Sequence, residues 1–315
     1  MAPEEVARQI LPPIVFDAMK SLKRELAYRR YRARGGIPFG TGYGIHHKQF
    51  IRDALNSSSL MARFRRGDPL PQGYGVGLDE RCVEYPWMIG QLDATPGRLL
   101  DAGSTLNHDF LIDLPVLQAK VIHILTLAPE GQCFWQRHIS YMFDDLRDIP
   151  IRDSYYDTIS CLSTLEHVGC DNRTFTGNDA DQENRPEDYL AAIEELCRVL
   201  RPGGSLLITV PFGAYCHLGV QQQFDARMLA TAIEALTRWG EVSATYYLYS
   251  TGGWNLATET DCTDARYVEW AAGVWAQGKV PNPIPIEPDH AVAARAVACL
   301  RLNKRTVAHV QSVSQ

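Results

Sequence analysis

The sequence predicts an α/β fold: a mostly parallel sheet flanked by helices and preceded by a helical and loop extension. Three observations predict it. From Arg98 onward, short apolar runs of strand length alternate with helix-like segments, the pattern of parallel strands joined by crossover helices. Residues 186–200 form a well-bounded amphipathic helix between two of those runs. Three segments, in fixed order, place polar or glycine-rich turn residues directly after or before an apolar run.

The bulk numbers set the class. The chain has 315 residues, 45% hydrophobic and 22% charged, with a net charge of -6. That is a globular composition, long enough for one large α/β domain with an extension or for two small domains. The acidic balance argues against nucleic acid as a partner, because phosphate binding needs a concentrated positive field. Residues 1–35 nevertheless carry eight basic against four acidic side chains. Eight cysteines form no Cys-x-x-Cys pair, which excludes zinc-ribbon and thioredoxin patterns. Cys161, Cys197 and Cys299 sit in apolar runs, as small hydrophobes do, so a reduced, cytoplasmic protein is expected. No apolar stretch reaches the length of a membrane span, and Glu4 and Glu5 break up any signal-peptide core.

Along the chain, Pro12-Pro13 opens a helix expected to stop near Gly35-Gly36. Val15, Phe16, Met19, Leu22 and Leu26 recur at helical spacing, so this helix is expected to pack them on the body and leave a solvated basic face. The same pattern suits a membrane surface or a partner. Gly40-Thr41-Gly42-Tyr43-Gly44 and Gly73-Tyr74-Gly75-Val76-Gly77 read as mobile or substrate-covering loops; neither ends as a P-loop does. Asp79 to Trp87 reads as a helix before the first strand, either a wall of the site or a structural element anchored by Trp87. Strands are expected at 98–101, 121–125, 140–143, 158–162, 205–210, 242–249 and 296–302. Residues 171–185 read as a polar surface insertion, and Gly252-Gly253-Trp254-Asn255 as a turn suited to a substrate lid. The boundary of the extension falls at 79/80.

The chemistry lies in the three ordered segments. The first is Arg98-Leu99-Leu100-Asp101-Ala102-Gly103-Ser104. The second runs from Phe143-Asp144-Asp145-Leu146-Arg147-Asp148-Ile149-Pro150 to Leu165-Glu166-His167-Val168-Gly169. The third is Arg198-Val199-Leu200-Arg201-Pro202-Gly203-Gly204, leading into Ser205-Leu206-Leu207-Ile208-Thr209-Val210-Pro211. Their order and spacing resemble the Rossmann-like (class I) S-adenosylmethionine (SAM)-dependent methyltransferases over about residues 80–303. The resemblance implies a doubly wound, seven-stranded sheet with the last strand antiparallel, SAM as cofactor, and methyl transfer to a nucleophile.

By that resemblance, Asp101, Gly103, Ser104 and Thr105 form the first cofactor turn. Thr126 ends the second strand, where family members usually place an acid on the ribose. Asp145 and Leu146 meet the adenine, and Ser163 and Leu165 border the cofactor after the fourth strand. His167 is a candidate general base, since histidine titrates near neutrality; a structural or cofactor-lining role is the plainer reading. Tyr215 and His217 are further proton-transfer candidates, or ordinary loop residues. The remaining histidines show no metal-ligand spacing, so no metal is expected. A small polar acceptor is expected, a sugar or secondary metabolite methylated on oxygen or nitrogen, with residues 1–79 as a lid or a homodimer contact. The alternative is a methyltransferase-like domain that binds a ligand or catalyses a non-methyl reaction. It draws on Thr126, and on Thr105 and Asn107 standing where further glycines are common. A dinucleotide oxidoreductase is disfavoured, because Gly-x-Gly-x-x-Gly is missing after strand one.

Overall fold

The structure, a computed structural model, describes residues 12–306. Four helices come first: α1 (Pro13–Ala33), α2 (Tyr43–Asn56), α3 (Ser58–Arg66) and α4 (Arg81–Gln91). Then strands and helices alternate: β1 (Gly97–Ala102), β2 (Lys120–Thr126), β3 (Ser140–Phe143), β4 (Tyr156–Leu162), α5 (Tyr189–Val199) and β5 (Leu200–Pro211). A small hairpin, β6 (Cys216–His217) and β7 (Gln222–Gln223), precedes α6 (Ala226–Thr237). The chain continues through β8 (Gly240–Ser250), β9 (Gly253–Ala257), α7 (Glu269–Gln277) and β10 (Ala296–Lys304).

The main sheet has the order β3-β2-β1-β4-β5-β10-β8-β9. Strands β3, β2, β1, β4 and β5 run parallel, while β10 lies antiparallel between β5 and β8. The expected antiparallel last strand is therefore present. The count of seven is corrected to eight, because β9 folds back on β8 and adds an edge strand.

Both faces of the sheet are covered, which is why its central strands are almost continuously apolar. Alternate residues serve opposite layers. Leu207, Val297 and Cys299 join the core beneath the N-terminal helices, with Ile51, Phe64 and Met88. Leu206, Ile208, Ala298 and Leu300 join the core beneath α5 and α6, with Ile193, Leu196 and Leu236. Residues of α2 and α3 thus share one core with the sheet.

Three expectations need correction. On α1, the apolar stripe does not pack on the body: Val15, Met19, Leu22 and Leu26 are exposed, Leu22 to 61%. The Phe16 side chain lies outside the described residues. The helix is anchored at its far end, where Tyr31 is buried and Tyr28 and Tyr31 pack against His46. The Gly73–Gly77 loop is not a free cover, since Gly73 N donates to Gly252 O, Trp254 N to Tyr74 O and Gly77 N to the Tyr249 hydroxyl. Trp254 is no lid either; it is buried, and its indole N–H donates to Leu78 O at 3.0 Å. A large indole with a satisfied N–H holds this loop on the β8–β9 hairpin.

Candidate active site

A cavity of about 420 Å³ opens at the C-terminal edge of the parallel strands. This is where open α/β sheets bind ligands, because the loops leaving the strands diverge there. Its wall includes Gly103 and Thr105 after β1, Thr126 at the end of β2, and Asp145 and Leu146 after β3. Ser163 and His167 after β4 complete the part foreseen from sequence.

The first turn is closed by its own acid. Asp101 accepts from Thr105 Oγ1 at 3.1 Å and from Leu106 N at 2.8 Å. Burial pushes this carboxyl up to about 7, against the pull of those two hydrogen bonds. Asp101 stands behind the wall, as do Ser104, whose buried hydroxyl has no protein partner, and Leu165, which is core. Gly103 has φ +111°, and a β-carbon there would sit 2.1 Å from Thr164 Oγ1. The β1 and β4 turns therefore touch through a bare backbone.

Asp145 is gripped by Arg147. The guanidinium donates to Asp145 Oδ2 at 2.6 Å and reaches on to Glu183 at 2.8 Å and Asp188 at 2.6 Å. Burial alone would raise the Asp145 carboxyl, but the Arg147 bonds hold it below the usual range. Arg147 thus pins the 171–185 segment against the β3 loop. That segment, read from sequence as a surface insertion, supplies Asn172, Phe175, Asp181 and Glu183 to the wall.

The start of α4 adds Glu80 and Arg81 to the wall. Arg81 Nη1 donates to Glu84 Oε2 at 2.8 Å, while Glu84 Oε1 accepts from Ser163 Oγ and Thr209 Oγ1, both at 2.6 Å. Arg81 Nε and Nη2 have no protein hydrogen bond among the described residues, so they are available to an anionic group. Trp87 and Tyr85 of the same helix are core instead. Just outside the cavity, Asp79 accepts from the Tyr43 hydroxyl at 2.8 Å and lies 2.7 Å from His47 Nε2. The His47 contact is a close approach rather than a directed hydrogen bond, since Nε2 has no well-aligned partner.

His167 Nδ1 lies 2.7 Å from Val220 O. A carbonyl only accepts, so Nδ1 carries the proton and Nε2 is bare. Burial lowers this imidazole to about 4, despite the bond to Val220, so at neutral pH it is uncharged and weakly basic. Tyr215 and His217 lie outside the wall, on and beside the β6–β7 hairpin, and His217 accepts from Gly219 N.

Residues 126–208 match the family described as a methyltransferase domain. Over that stretch, from the end of β2 into β5, the chain resembles a methyltransferase domain. No curated protein matches the sequence. Among solved structures, the chain is similar to the 1,6-didemethyltoxoflavin-N1-methyltransferase of Burkholderia thailandensis, with S-adenosylhomocysteine and its substrate bound. The identity is 13%, coverage is 94% of this chain and 92% of that one, and the TM-score is 0.40. It is also similar to the 4+2 cyclase SpnF, at 16% identity, 83% and 96% coverage, and a TM-score of 0.44.

The cavity suits SAM by the chemistry of its donors. Free Arg81 N–H groups suit a carboxylate, the Gly103–Thr105 turn lines the wall, and Asp145 and Leu146 offer a polar and an apolar edge. Among the described residues, no cluster of three His, Cys, Asp or Glu side chains is arranged to hold a metal ion. No helix there is long and apolar enough to cross a membrane.

Sequence reasoning offered residues 79–87 as a possible wall without singling out Glu80 and Arg81, and it gave Glu166 no role, although charges among the buried apolar residues of 78–89 are a legible sign of burial with a purpose. Burial, reinforced by Asp79 and Glu84, pushes Glu80 up to about 8, and burial first of all raises Glu166 well above the usual range. A carboxyl raised on folding contributes stability that is full below its unfolded value, near 4, and is lost as pH rises through its folded value. Groups held low, such as Asp79 and Asp145, act only below that window. Histidines held low, His167 among them, act only below about pH 6.5, so the protein should resist urea better at about pH 7 than at about pH 8.5, by on the order of 2 kcal/mol, and Glu80→Gln should shrink the difference. Identical stability at both pH values would contradict the raised carboxyls.

Proposed function

We propose that this protein transfers a methyl group from SAM to an oxygen or nitrogen of a small polar acceptor, as a cytoplasmic enzyme of small-molecule biosynthesis. The observation that carries this reading is one cavity over the ends of β1, β2 and β4. It brings together the residues expected to hold the cofactor and several buried ionisable side chains. SAM, when bound, supplies an electrophilic methyl group on a sulfonium. The protein's part is orientation and exclusion of water. Arg81 would hold the carboxylate end. Thr126, with Glu130 beside it in the wall, would meet the ribose hydroxyls, and Asp145 with the Leu146 amide would meet the adenine edge. Ser163, whose hydroxyl is committed to Glu84, would shape the methionine end through its backbone.

The test is calorimetric titration with SAM and, separately, with S-adenosylhomocysteine. Micromolar or tighter binding is expected. Asp145→Ala should weaken it by about 1.5–3 kcal/mol, the worth of a hydrogen bond to a charged group. Unchanged affinity would remove Asp145 from the adenine site. No binding of either compound to the wild-type chain would favour the alternative, a methyltransferase-like domain that binds another ligand, to which Thr126 in place of an acid lends support.

A further inference from the structure

The part of the cavity wall formed by the start of α4 and the β4 turn has an excess of carboxyl groups. Arg81 is paired with Glu84, which leaves Glu80 and Glu166 without a cationic partner among the described residues. Glu80 Oε2 accepts one backbone bond, from Ala294 N at 3.2 Å. Glu166 is 3% exposed, and its Oε2 has no hydrogen-bond partner. An acceptor oxygen left unpaired in a buried cavity wall is costly unless a ligand completes it. In its ionised form that oxygen takes a donor, and a cationic donor suits it best.

The mouth of the same cavity has a different character. Phe175, on the segment pinned by Arg147, and Trp275, on α7, line it while remaining 45% and 43% exposed. Each is held edge-on by a neighbour: Phe175 by His167 at 5.6 Å between centroids, and Trp275 by Phe39 at 5.5 Å. Two half-exposed rings at a cavity mouth offer stacking surface to a flat apolar body, and aromatic faces also attract cations.

We propose that the methyl acceptor is an arylalkyl amine, its nitrogen held by Glu80 and Glu166 and its ring lying against Phe175 and Trp275. The proposal rests on the methyltransferase reading and narrows its acceptor to nitrogen. An amine enters as an ammonium ion and must lose one proton before its lone pair is nucleophilic. That proton passes to one of the two carboxylates, leaving a neutral amine and a neutral carboxylic acid. Glu80, raised to about 8, is increasingly ionised as pH rises through that value, and it is the ionised form that takes up the proton. An alcohol would need a stronger base than His167, whose imidazole is lowered to about 4.

The experiment uses the full chain and three amines, benzylamine, phenethylamine and tryptamine, each beside its matched alcohol. Binding is measured by calorimetry with S-adenosylhomocysteine present, in two buffers of different ionisation enthalpy. At least one amine should bind tenfold or more tightly than its alcohol, with a buffer-dependent heat that reports proton movement. Glu166→Gln should remove that preference and leave SAM affinity within about twofold. Thermal melting of the variant, unchanged or raised, shows that it folds, and Glu80→Gln gives an independent second variant. Equal binding of amines and alcohols, or binding of neither class, overturns the proposal. So does a loss of SAM affinity in both variants, which would assign the carboxyls to the cofactor's own ammonium group. Failure of the wild-type chain to bind SAM or S-adenosylhomocysteine would instead sink the methyltransferase reading, a separate result.

Discussion

Gly103→Ala is expected to destabilise the protein by about 3–5 kcal/mol and to abolish measurable SAM binding. Two costs combine. A non-glycine residue held at φ +111° is strained by about 1–3 kcal/mol. The new methyl group would also overlap Thr164, with Oγ1 at 2.1 Å and Cγ2 at 2.5 Å, and overpacking of this kind costs about 1–3 kcal/mol. Thr164 cannot rotate away freely, because its hydroxyl donates to Leu162 O at 2.9 Å. The β1 and β4 turns must therefore separate, and both belong to the cavity wall. Urea denaturation reads the stability loss. The companion Gly103→Ala/Thr164→Gly relieves the overlap and keeps the backbone strain. It should recover part of the loss relative to the sum of the two single variants. Strict additivity would mean that the turns do not meet as described.

How far this site was legible in the sequence depends on where each residue sits. Strand ends were readable because β1, β2, β4 and β5 are apolar on both faces and stop abruptly at polar turns. Thr126, Asp145 and Ser163 could be placed as soon as the strands were placed. The Arg147 bridge was not readable, because its carboxylate partners Glu183 and Asp188 lie 36 and 41 residues away, in a segment that is polar throughout. That bridge turns a surface insertion into a cavity wall and brings Phe175 to the mouth. Trp275 and Tyr267 arrive through an equally long-range route, on and before a helix that follows β9. Tyr215 and His217 looked plausible by proximity to the fifth strand, but the β6–β7 hairpin carries them past the cavity. The apolar stripe of α1 misled for another reason. Helical periodicity reports that a face exists and says nothing of what covers it, and among the described residues Val15, Met19, Leu22 and Leu26 remain exposed.

Arg81→Met should produce a loss of similar size by a different route, and its origin can be separated into two parts. Glu84 is fully buried and ion-paired to Arg81, so removing the guanidinium leaves an uncompensated carboxylate. Breaking a buried pair from one side costs about 3–5 kcal/mol, and the two hydroxyl donors Ser163 and Thr209 place this case toward the lower end. The double variant Arg81→Met/Glu84→Gln removes both charges while an amide of the same shape still accepts from the two hydroxyls. It should regain most of the stability, because replacing both members of a buried pair is often close to neutral. SAM affinity should not return with it: the charge-assisted bonds from Arg81 to the cofactor's carboxylate, worth about 1.5–3 kcal/mol, are still missing. Stability and affinity are thus expected to part company in the double variant. Recovery of both would make Arg81 a partner of Glu84 alone. Recovery of neither would mean that the guanidinium's 5.8 Å approach to the Tyr85 ring and its packing at the start of α4 matter more than its charge.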